Sequence, residues 1–151
     1  MCAAGQVPSV EHMNTITKLQ WPLILGLGAL ALVRPLIRTV EDQLGAGGLP
    51  AGPVIVTGVI TAIWVLVVGL TRTAHPVLTL LFTGLAYAAF AILLSGILSP
   101  MLTGELQGPL ATPLAIIPML ATNALWGLAA GALALVVQRL RGVRPGRAAH
   151  R

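Results

Sequence analysis

The chain has 151 residues, 56% of them hydrophobic and only 9% charged, against about 45–50% and about 25% in an ordinary soluble domain. That balance excludes a soluble globular domain and leaves an all-α integral membrane protein as the expected class. The formal charge of +5 lies in flanking segments rather than on a folded basic module, which argues against nucleic acid as a partner. The single cysteine, Cys2, excludes an internal disulfide and a cysteine metal cluster.

In chain order, residues 1–20 form a short polar head, residues 21–137 a transmembrane domain of four helices and residues 138–151 a basic tail. Within the head, Met13 opens a polar, basic lead into an apolar run and reads as a start site in its own right, so Cys2 and His12 carry no functional weight. A span needs about 20 apolar residues to cross about 30 Å of hydrocarbon. The first candidate, Trp21 to about Val40, is the marginal one: its uninterrupted apolar part, Pro22 to Val33, is short, and Arg34, Pro35 and Arg38 follow it. A cleaved signal peptide would start in the same way, but no small-residue cleavage site follows, so the segment is expected to be retained.

The next three spans, Pro53 to Thr71, Pro76 to Leu98 and about Thr112 to Val137, contain no charged residue. Pro22, Pro53, Pro76 and Pro113 fall at or near first turns, where a missing N–H costs nothing. Pro35 and Pro118 sit inside apolar segments, and each predicts a kink whose freed carbonyl needs another partner. Residues 42–53 and 99–109 are Gly/Pro-rich connectors and residues 72–75 a very short one. The expected fold is therefore four transmembrane helices arranged as two hairpins.

Basic residues near span ends tend to stay in the cytoplasm. Seven of the nine, Lys18, Arg72, Arg139, Arg141, Arg144, Arg147 and Arg151, fall on one side of a four-span arrangement. Both termini are then expected in the cytoplasm, with the protein in the inner membrane. The tail's five arginines lie beside no acid; Arg139, Arg141, Arg144 and Arg147 are read as a lipid-facing set against anionic headgroups.

Close helix contact in a bilayer favours small residues, and Gly84 with Ala88, like Gly127 with Gly131, has the small-x-x-x-small spacing of a helix–helix interface. Asn123, near the middle of the fourth span, needs hydrogen-bond partners there; it reads as interhelical glue or as the wall of a cavity shared with Thr57, Thr61, Thr83 or Tyr87. His75 stands at a membrane edge without a second histidine near any span, so neither haem nor a metal is expected. No carboxylate lies inside a span, and no nucleophile, Walker or zinc-protease motif is present, so no enzymatic activity or cofactor is expected. Small multidrug transporters also have four spans, but they rely on a carboxylate in the first, which this chain lacks.

Arg34 and Arg38 are one helical turn apart on one face and oppose the positive-inside pattern. Arg38 has Glu41 and Asp42 within reach along a helix, whereas Arg34 has no local acid and looks to Glu105 across the bundle, to kink carbonyls, to lipid phosphate or to a ligand. The candidate functional residues are thus Arg34, Arg38, Asn123 and Glu105. Two functions fit: a non-catalytic subunit of a membrane complex, homo-oligomeric or bound to a membrane partner, and a small transporter or channel with an anion-attracting mouth at Arg34 and Arg38.

Overall fold

A computed structural model describes residues 19–45, 51–106 and 108–143, and every regular element among them is helical. Hydrocarbon offers no partner for backbone N–H and C=O groups, so an apolar chain satisfies them within each helix. Four stretches are long and apolar enough to cross a membrane: Trp21–Leu44, Gly52–Leu70, Pro76–Thr103 and Pro113–Leu140. The first consists of α1 (Trp21–Leu30) and α2 (Val33–Leu44), the second is α3 (Gly52–Leu70) and the third α4 (Pro76–Thr103). The fourth opens with a 3₁₀ turn, Pro113–Ala115, and continues as α5 (Ile116–Leu140).

Proline and glycine set several boundaries. Pro22, Pro53 and Pro76 occupy the first positions of α1, α3 and α4. Gly45 and Gly104 end α2 and α4 with φ of 61° and 74°, the left-handed conformation that glycine adopts without a Cβ penalty. The first span runs four residues past the expected Val40, and the third continues through Pro100 to Thr103 rather than stopping at Leu98.

The kink expected from Pro35 lies one turn upstream, at Ala31 and Leu32. Pro35 has no N–H to give the Ala31 carbonyl, which accepts instead from Arg34 N at 3.1 Å, while Leu32 N reaches Ala29 O at 3.0 Å. The ladder thus tightens locally to three-residue bonds. The Leu27 carbonyl, holding Ala31 N at a long 3.3 Å, also accepts from the buried Trp64 Nε1 of α3 at 3.0 Å. Pro118 corrects the expectation of a second mid-span kink: α5 starts at Ile116, so Pro118 falls in its first turn, where its missing donor has no intrahelical partner.

The spans alternate in direction along the chain as two hairpins, but the tight packing does not follow the hairpins alone. The α4/α5 crossing is backbone against backbone: a Cβ on Gly84 would collide with the Asn123 carbonyl, one on Gly127 with the Leu80 carbonyl, and one on Gly131 would stand 2.7 Å from Val77 Cα. Gly69 of α3 meets Val137 of α5, and Gly28 of α1 lies against Ala86 and Tyr87 of α4. Trp21 and Phe82 add a tilted ring contact at 6.0 Å between centroids. The order around the bundle is therefore α1, α4, α5, α3, with the first hairpin's helices joined at Trp64 and Leu27. Buried Leu27, Ala31, Trp64, Val68, Leu80, Ala130 and Ala134 form the core.

Only 22–28% of each span's most apolar stretch is buried within the molecule, so most of the apolar surface has to be covered by lipid or by another protein.

Candidate functional site

Helix α2 is amphipathic with its apolar side outward. Val33, Leu36, Ile37, Val40 and Leu44, spaced as one helical face, are all exposed. Arg34, Arg38 and Asp42, each one turn from the next, instead line a groove of about 480 Å³ against α4, whose wall includes Leu94, Ser95, Leu98, Ser99, Leu102 and Thr103. No residue of this helix is buried, and Arg34, Arg38 and Asp42 are exposed along the groove.

A second space, a cavity of about 520 Å³, lies among all four spans and is lined by Ala31, Arg34, Thr57, Ile60, Thr61, Trp64, Tyr87, Met119, Thr122, Asn123 and Trp126. Arg34 and Tyr87 line both spaces. Arg34 stands about 20 Å along the axis from Trp21 and about 15 Å from Leu44, in the second half of the first apolar stretch.

Most polar groups of the cavity wall are occupied by their own helices. Thr57 and Thr61 donate their hydroxyls to Pro53 O and Thr57 O, both at 2.7 Å, and Thr122 donates to Pro118 O at 2.8 Å. Trp126 Nε1 donates to Thr61 Oγ1 at 3.0 Å, tying α5 to α3. Asn123 Nδ2 donates to Met119 O at 2.8 Å. This bond is intrahelical, which corrects the expectation of interhelical glue: the amide folds back one turn because Gly84 brings α4 against the Asn123 backbone rather than its side chain. Thr83, expected with this group, is instead buried away from the cavity and donates to Thr79 O at 2.8 Å.

Among the described residues no arginine nitrogen comes within 4.0 Å of a carboxylate oxygen, and the Arg34 guanidinium and Tyr87 hydroxyl have no hydrogen-bond partner. The expected pairing of Arg34 with Glu105 is thereby corrected. Tyr87 shares the cavity with Arg34, and α4 continues for about 24 Å from Tyr87 to Thr103 before the chain turns at Gly104. Glu105 is left exposed at the far end, beyond the reach of one side chain. Arg38 likewise forms no ion pair with Glu41 or Asp42, although Arg38 and Asp42 line the same groove.

The opposite end of the bundle carries a clasp that was not foreseen. The fully buried Gln138 donates Nε2 to Val68 O at 2.9 Å, Thr71 O at 3.0 Å and Thr73 Oγ1 at 2.9 Å. Arg141 Nη1 donates to Leu70 O at 2.8 Å and Gly69 O at 3.2 Å. The last carbonyls of α3, orphaned by the helix end, are thus satisfied from α5. Arg141 thus holds the end of α3, and both it and Arg139 are exposed; Arg144 and Arg147 lie outside the described residues, as do Cys2, His12, Met13 and Lys18. A lone glutamine beside "RLR" looks like the start of the tail; the signal in it was its position one turn inside the helix end.

Gly84, Ala88, Gly127 and Gly131 are all buried, three of them at the α4/α5 crossing. Among the described residues no three His, Cys, Asp or Glu side chains come together. Besides apolar walls, the two spaces are lined by the guanidiniums of Arg34 and Arg38, the carboxylate of Asp42, the phenol of Tyr87, the amides of Gln43 and Asn123 and several serine and threonine hydroxyls. Comparisons with protein-family models, with characterised proteins and with solved structures gave no match to this chain.

Proposed function

We propose that this protein is a small, non-catalytic anion-binding membrane protein of the transporter or channel kind, in which Arg34 and Arg38 draw an anion between the helices. The observation that carries this reading is Arg34 itself: within the first apolar stretch, lining both the groove and the second cavity, and without a carboxylate within 4.0 Å among the described residues. A charge at a helix centre in the bilayer costs about 2.5–3.5 kcal/mol on insertion scales, and intramembrane ionisable groups of this sort mark ion and substrate pathways. Arg38 lies about 6 Å nearer the connector end, one turn along α2, and serves as the entry group. Tyr87 and Asn123 then provide polar contacts beyond Arg34.

The location that goes with this reading is the inner membrane with both termini cytoplasmic, so that the groove faces outward. The alternative, an assembly subunit of a membrane complex, draws on the uncovered apolar belt, which lipid covers equally well. The test is flux of a monovalent anion from liposomes containing the purified chain. Anion-selective efflux that is lost in Arg34→Gln is expected; protein-free leak rates, or cation selectivity, would refute the reading.

A further inference from the structure

The groove between α2 and α4 is charged on its α2 wall and partly apolar on its α4 wall. Arg34, Arg38 and Asp42, all exposed, stand on one side, and half-buried Leu94 and Leu98 with exposed Leu102 lie on the other beside Ser95, Ser99 and Thr103. Two guanidiniums one turn apart match the several oxygens of a phosphodiester, which arginine engages with paired N–H donors. Asp42, one turn beyond Arg38, leaves the groove with one net positive charge and makes its connector end the less favourable seat for an anion.

We propose that the groove is a binding site for an anionic glycerophospholipid that enters from the bilayer, with its phosphate between Arg34 and Arg38 and an acyl chain along Leu98 and Leu102. This rests on the anion-binding reading above and names its ligand class. An amphiphile meets both halves of the groove at once: its head offsets two guanidiniums that have no carboxylate within 4.0 Å among the described residues, and its tail covers a wall that a free ion would leave bare. Arg34, at the junction with the second cavity, holds the deeper side of the head.

The test is native mass spectrometry of the purified full chain, titrated with dioleoyl phosphatidylglycerol, dioleoyl phosphatidylcholine or sodium phosphate. One phosphatidylglycerol is expected to be retained at a concentration at least ten-fold below that needed for phosphatidylcholine. Arg34→Gln and Arg38→Gln should abolish that preference. Leu102→Glu, which sets a carboxylate in the wall without touching either arginine, should abolish retention. Arg72→Gln, at the other end of the bundle, should change nothing. Equal retention of the two lipids, or a preference that survives Arg34→Gln, overturns the proposal, as does a preference lost equally in Arg72→Gln, which would indicate general surface attraction. Arg34-dependent stabilisation by phosphate without lipid preference overturns the lipid and leaves the anion reading standing, whereas no response to either probe removes both. If Arg34→Gln loses its helical circular dichroism, Arg38→Gln and Leu102→Glu decide the matter.

Discussion

An arginine within a span invites the assumption of a buried ion pair, and at Arg34 the structure argues against it. With no carboxylate within 4.0 Å among the described residues, Arg34→Leu removes a charge that costs about 2.5–3.5 kcal/mol at a helix centre in the bilayer and breaks no pair seen there. The expected outcome is an unchanged or raised melting temperature in detergent without added anionic lipid, together with loss of anion binding. A fall of several degrees would mean that a protein partner holds the guanidinium. Glu105→Gln should add to Arg34→Leu within about 0.5 kcal/mol, as independent sites do. Gln138 behaves in the opposite way. Its Nε2 satisfies acceptors of the α3–α4 turn while its Oε1 is buried without a partner. Each buried acceptor left unpaired costs about 1–3 kcal/mol, so Gln138→Leu should lower thermal stability clearly and Gln138→Glu more still, since a carboxylate would face carbonyl oxygens. An unaffected melting curve for both would show that water replaces the clasp without loss. Arg34 stood out in the sequence because its chemistry conflicts with its surroundings; Gln138 did not, because a polar residue near a helix end conflicts with nothing until the neighbouring turn is in view.

Among the elements, the sharpest contrast is between glycines that touch another helix and glycines that do not. At Gly127 a Cβ would strike the Leu80 carbonyl and stand 3.0 Å from Leu81 Cα, whereas Gly58 has nothing within 4 Å. Backbone cannot swing aside as a side chain does, so Gly127→Ala must separate α4 from α5, with an overpacking cost of about 1–3 kcal/mol. Gly58→Ala should be neutral or stabilising by up to about 1 kcal/mol, because alanine is the better helix former. Thermal unfolding of the two variants side by side checks this, and equal melting temperatures would show that the crossing is loose. Small-residue spacing made this interface legible, since close approach has a compositional requirement. Proline was a less complete guide: Pro35 broke its helix as expected, but Pro118 did not, because its effect depends on where the helix begins, and the 3₁₀ turn at Pro113–Ala115 moved that start to Ile116. The groove-lining polar face of α2 was half visible. The four-residue spacing of Arg34 and Arg38 could be read directly, but which side of α2 meets α4 depends on the kink at Ala31 and Leu32.

For the whole molecule, the number of spans follows from hydropathy alone, whereas their exact ends, at Leu44 and Thr103 rather than Val40 and Leu98, and their neighbours do not: hydrophobic runs carry no information on which helix touches which. The order α1, α4, α5, α3 rests on Gly28, Gly69, Gly84, Gly127 and Gly131 as places of close approach, and it leaves the cavity among all four spans. Where that cavity and its groove lead depends on orientation. The alternating spans put Arg72, Arg139 and Arg141 at one end and Leu44, Glu105 and the 3₁₀ turns at the other. In the proposed orientation, with positive charge retained on the cytoplasmic side, the groove's connector end lies outside. In a Cys2→Ser background, a cysteine at Leu106, which is 48% exposed, should react with a membrane-impermeant maleimide in intact cells. One at Arg72, also exposed, should react only after the membrane is permeabilised. The reverse pattern would put the basic end outside and turn the groove toward the cytoplasm. The anion site would then draw on the inner leaflet's lipids, with Arg34 at the same depth but reached from the other side. Labelling at both positions in intact cells would mean that the spans do not alternate, and the mouth assigned to Arg38 would go with them.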